Sequence, residues 1–257
     1  MSATQSPAAE RSPGTVGHRA RFGVIIPSTN TAVERDYNLI RPDGVTYHVA
    51  RMWIQPSVAS DKEAEQALQQ LRDTIDLAIR DVMTCGPDHL IAGMSSETFM
   101  GGLEGNTRFT KRAEELSGLS VTTGASAVKS ALDLYGARRV AVLTPYQQVI
   151  DIQVERYFDD LGYDLVRMTG LRVEKSTGAA GIPHERLREV LHELDGPDVD
   201  AIIQAGTNLS VTPIAEELER ELGKPVIPIN VACVWHAFRS VGIEDKIPGF
   251  GSLFVDH

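Results

Sequence analysis

Cysteine is scarce. Cys85 and Cys233 are the only two in 257 residues, too few for a disulfide framework or for a zinc cluster of the usual spacing. No stretch reaches the ~18 consecutive apolar residues that a membrane span requires. Met1 to Ala20 is rich in Ala, Ser, Pro and Gly and lacks the apolar core of a signal peptide, so it reads as a flexible tail on a cytoplasmic protein. Basic charge is in deficit: 25 Lys and Arg against 35 Asp and Glu give a net charge of −10. That excludes the basic face a nucleic-acid partner needs, and it repels an anionic membrane surface. The glycines Gly101, Gly102 and Gly105 form neither GxGxxG nor a P-loop, and His184 and His192 lack the HExxH spacing. No metal ligand set is expected.

The composition is that of a globular protein, since 42% hydrophobic residues are too many for a disordered chain. After the tail, β-rich runs alternate with amphipathic stretches. Phe22 to Ile26, ended by Pro27, suits a strand buried on both faces, and Val45 to Met52 a second strand. Lys62 to Met83 carries Ala64, Leu68, Leu71, Ile75, Leu77, Ile79 and Val82 at helical spacing before Gly86-Pro87. His89 to Ala92 reads as a strand, Arg108 to Leu116 as a helix, Ser120 to Thr123 as a strand, and Ala125 to Leu134 as a helix. Such alternation predicts an α/β fold with parallel sheets and crossover helices.

The second half repeats the plan. Arg139 to Pro145 echoes Arg21 to Pro27. Gly196-Pro197-Asp198 echoes Gly86-Pro87-Asp88. The segment from Leu222 through the helix Ala232 to Val241 echoes Leu116 onward. Three landmarks in one order predict two pseudo-symmetric Rossmann-like lobes. The expected division is 21–118 with about 231–257 in lobe 1, and 119–230 in lobe 2. The site belongs in the crevice between them, at the carboxyl ends of the strands.

Four loops should line that crevice: Pro27 to Thr31, Gly93 to Thr98, Thr144 to Gln147, and Gly206 to Ser210. All are dense in hydroxyl and amide side chains and poor in charge. Taken singly, each could be a set of helix caps and turn formers. Together they describe an uncharged cradle for a carboxylate, or for an oxyanion forming beside one.

Along these segments the chain resembles a known family. VIIPSTNTAVE is similar to the first loop of the maleate cis-trans isomerases, a branch of the aspartate/glutamate racemase superfamily. AGMSSETFMGG, VAVLTPYQQ, DAIIQAGTNLS and IPGFGSLF resemble arylmalonate decarboxylase of that superfamily. The resemblance spans about Phe22 to Phe254 and implies a cofactor-free site for a small carboxylate substrate. It leaves a homo-oligomer open. It also implies that Ser95 and Tyr146 donate hydrogen bonds to the substrate carboxylate, that Asn30 contacts a carboxylate, and that Thr207 and Asn208 add donors. Ser28, Gly93, Met94, Ser96 and Gly206 complete the expected binding set, with Met94 standing where the decarboxylase has a threonine.

The departure concerns sulfur. Family racemases and isomerases place one cysteine on the second loop and one on the fourth, and the decarboxylase keeps the fourth-loop one. Here the matching positions are Gly93 or Met94, and Gly206 or Thr207; none is a thiol. Glu97 is the expected proton carrier, provided that burial beside Met94 and Phe99 raises its pKa; otherwise it caps or salt-bridges a nearby helix. Cys233 reads as a small buried apolar residue, with pairing to His236 as the weaker reading. The expected activity is a cofactor-independent lyase or isomerase, decarboxylase-like or maleate-isomerase-like, acting through a stabilised enediolate. The alternatives are an inactive carboxylate-binding relative and a hydrolase of a small amide or lactone.

Overall fold

Phe22, Val24, Ile25 and Ile26 are all fully buried, as a continuous apolar run must be when both faces of its strand are covered. They lie on β1 (Ala20–Pro27) of a computed structural model that describes residues 11–257. From β1 the chain passes through α1 (Val33–Leu39), β2 (Val45–Met52), α2 (Asp61–Met83), β3 (His89–Ala92), α3 (Ser96–Phe99), α4 (Gly102–Ser117), β4 (Val121–Thr123) and α5 (Gly124–Tyr135). The four strands are parallel, in the order β2-β1-β3-β4.

The plan then recurs with β5 (Arg139–Thr144), α6 (Gln148–Asp160), β6 (Asp164–Gly170), α7 (His184–Leu194), β7 (Ala201–Gln204), α8 (Ala215–Leu222), β8 (Val226–Pro228) and α9 (Ile229–Ser240). A short α10 (Ser252–Val255) follows. The second sheet is also parallel, in the matching order β6-β5-β7-β8. The two-lobed α/β reading therefore holds.

Equivalent ladder bonds give the register of one lobe on the other. Gly93 N–H donates to Ile25 O at 2.9 Å, and Ala205 N–H donates to Leu143 O at 2.8 Å. Gly93 thus matches Ala205, Met94 matches Gly206, and Ser95 matches Thr207. The fourth-loop counterpart of Gly93 is therefore Ala205, one residue before Gly206 and two before Thr207. At the other end of the strands, Asp88 accepts the Arg21 amide at 2.8 Å and Asp200 accepts the Arg139 amide at 2.8 Å. The partner of Asp88 is Asp200, two residues beyond the Gly-Pro-Asp echo. Asp198 turns to Arg167 instead, at 2.8 Å.

Local chemistry accounts for the helix ends. Ser60 accepts the Glu63 amide to cap α2, whose Ala64, Leu68, Leu71, Ile75, Ile79 and Val82 share one buried face. Thr123 and Ser126 form a capping box on α5. Helix α4 starts at Gly102, six residues before the expected start. Its first turn contains Gly105, where a Cβ would overlap the Met100 carbonyl, so a poor helix former is required there.

The lobes share cover. Strand β4 pairs with β3, so 121–123 lie in the first sheet, beyond the expected boundary at 118/119. Helix α9, far along the chain, packs on that same sheet: Phe238 stacks on Phe22 with centroids 5.5 Å apart, and His236 Nδ1 lies 2.8 Å from Thr122 Oγ1. Of the expected tail, Met1 to Glu10 lies outside the described residues. Arg11 is paired with Asp88 at 2.7 Å, and Arg19 with Asp245 at 2.8 Å, so both are tied to the body of the fold.

Candidate active site

The loops that leave β1, β3, β5 and β7 converge between the lobes and enclose a cavity of about 110 Å³. One side is polar and is lined by Asn30, Ser95, Ser96, Tyr146, Gln147 and Thr207. The other is apolar, with Ile54, Leu68, Leu71, Met94, Ile150 and Val173. Of the expected site residues, Asn30, Met94, Ser95, Ser96, Tyr146, Gly206, Thr207 and Asn208 are brought together here. Ser28, Gly93 and Glu97 are not on the cavity wall. Ser28 Oγ accepts the Ile54 amide at 3.2 Å and so shapes the loop. Gly93 lies tight against β1, where a Cβ would come within 2.6 Å of Ile26 Cγ2.

A chain of hydrogen bonds crosses the polar side. The Tyr146 phenol donates to Ala205 O at 2.9 Å, which leaves its oxygen to accept from the Ser95 hydroxyl. Ser95 Oγ accepts the Thr207 N–H at 3.1 Å, and Thr207 Oγ1 accepts from Asn30 Nδ2 at 3.2 Å. Desolvation pushes the Tyr146 pKa up, more than the Ser95 bond lowers it, so the phenol stays protonated. Three hydroxyls and an amide can thus be re-aimed at an anion without any charged side chain.

Asn30 and Asn208 do more than face the cavity. Asn30 Oδ1 accepts the amides of Ala32 (3.0 Å) and Val33 (2.9 Å), while Asn208 Oδ1 accepts those of Thr31 (2.9 Å) and Ala32 (3.1 Å). The start of α1 is therefore capped from its own loop and from the opposite lobe. The Asn208 Nδ2 group is engaged by Ser176 O at 2.7 Å, so this side chain chiefly joins loops. Asn30 keeps one amide hydrogen beyond its bond to Thr207.

Two arginines hold the first and third loops in related ways. Arg51, on β2, donates to the carbonyls of Ser28 (3.1 Å) and Asn30 (3.0 Å) and pairs with Glu34. Arg172, just past β6, donates to the Tyr146 carbonyl and pairs with buried Asp151, which also accepts from Thr144 Oγ1 at 2.5 Å.

Sequence reasoning missed the strap over the cavity. Val58 N–H donates to Glu174 O and Ser176 N–H to Pro56 O, each at 2.9 Å, so segments from the two lobes form an antiparallel bridge at Ser57 and Lys175. The Gln147 amide donates to Val58 O at 2.9 Å and to Val173 O at 3.1 Å, tying both segments to the third loop. The apolar wall was also missed as a wall. Ala64, Leu68 and Leu71 carry the same spacing whether they face core or cavity, so periodicity could not separate the two.

Glu97 corrects the expected proton carrier. Its carboxylate faces α2 and is held by Arg72 Nε at 2.8 and 2.9 Å, outside the cavity. Burial raises its pKa, opposed by Arg72, but the group is not on the wall of the cavity between the lobes. The helix-bridging alternative is the observed one. Cys233 is fully buried, its thiol pushed up to about 12 by desolvation, and His236 points to Thr122 instead. Cys85 Sγ donates to Val82 O at 2.9 Å, also away from the cavity.

The family model for arylmalonate decarboxylase matches residues 22–254. The chain is 28% identical over 243 residues to maleate isomerase of Nocardia farcinica, covering 91% of this chain and 94% of that one. It is 32% identical over 169 residues to arylmalonate decarboxylase of Bordetella bronchiseptica, covering 62% of this chain and 68% of the relative. The solved Nocardia farcinica maleate cis-trans isomerase bound to TRIS superposes with a TM-score of 0.85 at 25% identity, covering 92% of this chain and 98% of that one.

Proposed function

Because the chain belongs to the arylmalonate decarboxylase family, we propose that it is a cofactor-independent lyase that decarboxylates a small substituted dicarboxylic acid of the malonate type. The observation that supports this reading is a cavity lined both by neutral hydrogen-bond donors and by apolar side chains. One carboxylate is bound by Ser95, Tyr146, Thr207 and the free hydrogen of Asn30. The substituent rests on Leu68, Leu71 and Ile150, which exclude water.

The bond between the α-carbon and the second carboxylate breaks, and CO₂ leaves. The electron pair spreads into the retained carboxylate as an enediolate. Donors that strengthen as this charge develops contribute typically ~3 kcal/mol each to the barrier reduction. A proton must then reach the α-carbon. Tyr146 is the one ionisable side chain lining the cavity among the described residues. Its raised pKa is no obstacle, because the carbanion equivalent is a far stronger base than a phenolate. The transient phenolate accepts from Ser95 and regains its proton from water.

Cis-trans isomerisation of maleate is the second reading, favoured by the similarity to maleate isomerases over 91% of the chain. The resemblance assigns that reaction to a cysteine pair and the decarboxylase's protonation to one cysteine; the cavity lining holds no thiol to replace the pair, whereas Tyr146 is there to deliver a proton, so decarboxylation ranks first. Incubation with phenylmalonate and with maleate in deuterated water, followed by proton NMR, tests the proposal. Deuterated phenylacetate is expected. Fumarate without phenylacetate would favour isomerisation, and no conversion of either compound would overturn an enzymatic role of this type.

A further inference from the structure

Behind the fourth loop lies a carboxylate that the chemistry above does not use. Asp36, on α1, has no solvent exposure, and neither does Asn230 in the first turn of α9. Asp36 Oδ2 accepts from Thr212 Oγ1 and from Asn230 Nδ2, each at 2.8 Å, while Arg35 approaches the other oxygen at 3.3 Å. The Asn230 Nδ2 group has a second bond, to the carbonyl of Thr207 at 2.9 Å.

The orientation of this amide is forced. An asparagine side chain has a donor end and an acceptor end of nearly equal shape. Asp36 and the Thr207 carbonyl can only accept, so both demand the NH₂ end. The consequence is visible at the other end, where Asn230 Oδ1 is buried without a partner. A buried polar atom left unpaired is costly, so the two bonds at Nδ2 must outweigh it.

All three polar groups of Thr207 are then held from the first lobe or the helix packed on it: the carbonyl by Asn230, the N–H by Ser95 Oγ, and the hydroxyl by Asn30. We infer that Asp36 is a positioning residue which, through Asn230, fixes the Thr207 peptide and so aims the donors of the fourth loop at the bound anion. Its effect on a ligand rests on the carboxylate-binding reading above, whereas its effect on the loop does not.

The test uses the full chain as wild type, Asp36→Asn, Asn230→Ala and the double variant. Two quantities are read: hydrogen exchange of the 205–212 segment, and the Kd for phenylmalonate by calorimetry. Asp36→Asn keeps the shape but leaves the Thr207 carbonyl as the one obligate acceptor that orients the Asn230 amide. Each single variant should speed exchange at Thr207 and Asn208 while β1 keeps wild-type protection. Each should also weaken binding roughly tenfold, the loss of about one hydrogen bond. The double variant should bind no worse than Asn230→Ala, because both changes act along one route. Asn230→Ala alone decides the matter if Asp36→Asn does not fold. Unchanged exchange at 205–212, a uniform rise across the chain, or additive losses of binding would overturn the inference. A wild type that does not bind phenylmalonate would sink the functional reading, and the exchange data would then decide the positioning role by themselves.

Discussion

Ser95 and Thr207 are counterparts in the two lobes, and the Thr207 amide donates directly to Ser95 Oγ at 3.1 Å. Each stands two residues past an equivalent ladder bond, so the internal symmetry of the chain brings its matching loops together at one contact. A donor cluster built there belongs to neither lobe alone.

Ser95→Ala removes the acceptor for Thr207 N–H and the donor to Tyr146 at once. Phenylmalonate turnover should fall about 10²-fold or more, the usual effect of losing one oxyanion donor. Tyr146→Phe should lower kcat more than it raises KM, since the phenol has its main effect when the proton moves. Steady-state assay of CO₂ release checks both.

Glu97→Gln should leave turnover within about twofold, because the side chain lies off the cavity. It should cost roughly 1 kcal/mol of stability or less, since Arg72 is substantially exposed and the pair is screened. Urea unfolding and the same assay measure the two effects. A collapse of turnover would restore Glu97 as the proton carrier.

Acid stability should depend on His89. It is buried between Ser120 Oγ and Thr122 Oγ1, each at 2.7 Å, and desolvation, with His236 nearby, lowers its pKa to about 3. A histidine depressed in the fold is neutral there but protonated in the unfolded chain below about pH 6.5. The unfolded state then binds more protons, so stability falls as pH drops from about 6.5 toward 3. The contribution approaches about 1.4 kcal/mol per pH unit. Urea midpoints of wild type and His89→Gln at pH 7, 6 and 5 should show a shallower decline in the variant.

Ile150→Ala should widen the apolar side of the cavity. Ile150 packs with Ala64 and Leu68 from the opposite lobe, so its truncation should cost about 2–4 kcal/mol in urea unfolding. The ratio of kcat/KM for naphthylmalonate over phenylmalonate should rise, as the larger ring gains room.

Much of the fold is legible because its strands and long helices carry single-valued patterns. Phe22 to Ile26 suits a doubly buried strand, and α2 repeats its apolar face from Ala64 to Val82, about five turns. Strand β6 was not legible: it is a sheet edge, exposed at Asp164 and half-buried along the rest, so Leu165 to Gly170 shows neither a run nor an alternation. At the site, the four polar loops were visible as composition. The fate of each side chain was not. Glu97 sits two residues from Ser95 in sequence, yet the short turn of α3 directs it to Arg72. Asn208 looked like a ligand donor and is occupied by backbone groups of two loops. Register in the fourth loop could be read only from the ladder bonds.

Helix α9 covers the first sheet although it follows the last strand of the second, and α5, which follows the first sheet, is reached from the other lobe by the Tyr163 hydroxyl donating to Asp133 at 2.9 Å. A chain cut between Tyr135 and Arg139 would leave the first sheet without the helix that covers it, so it should regain its shape only when both fragments are renatured together.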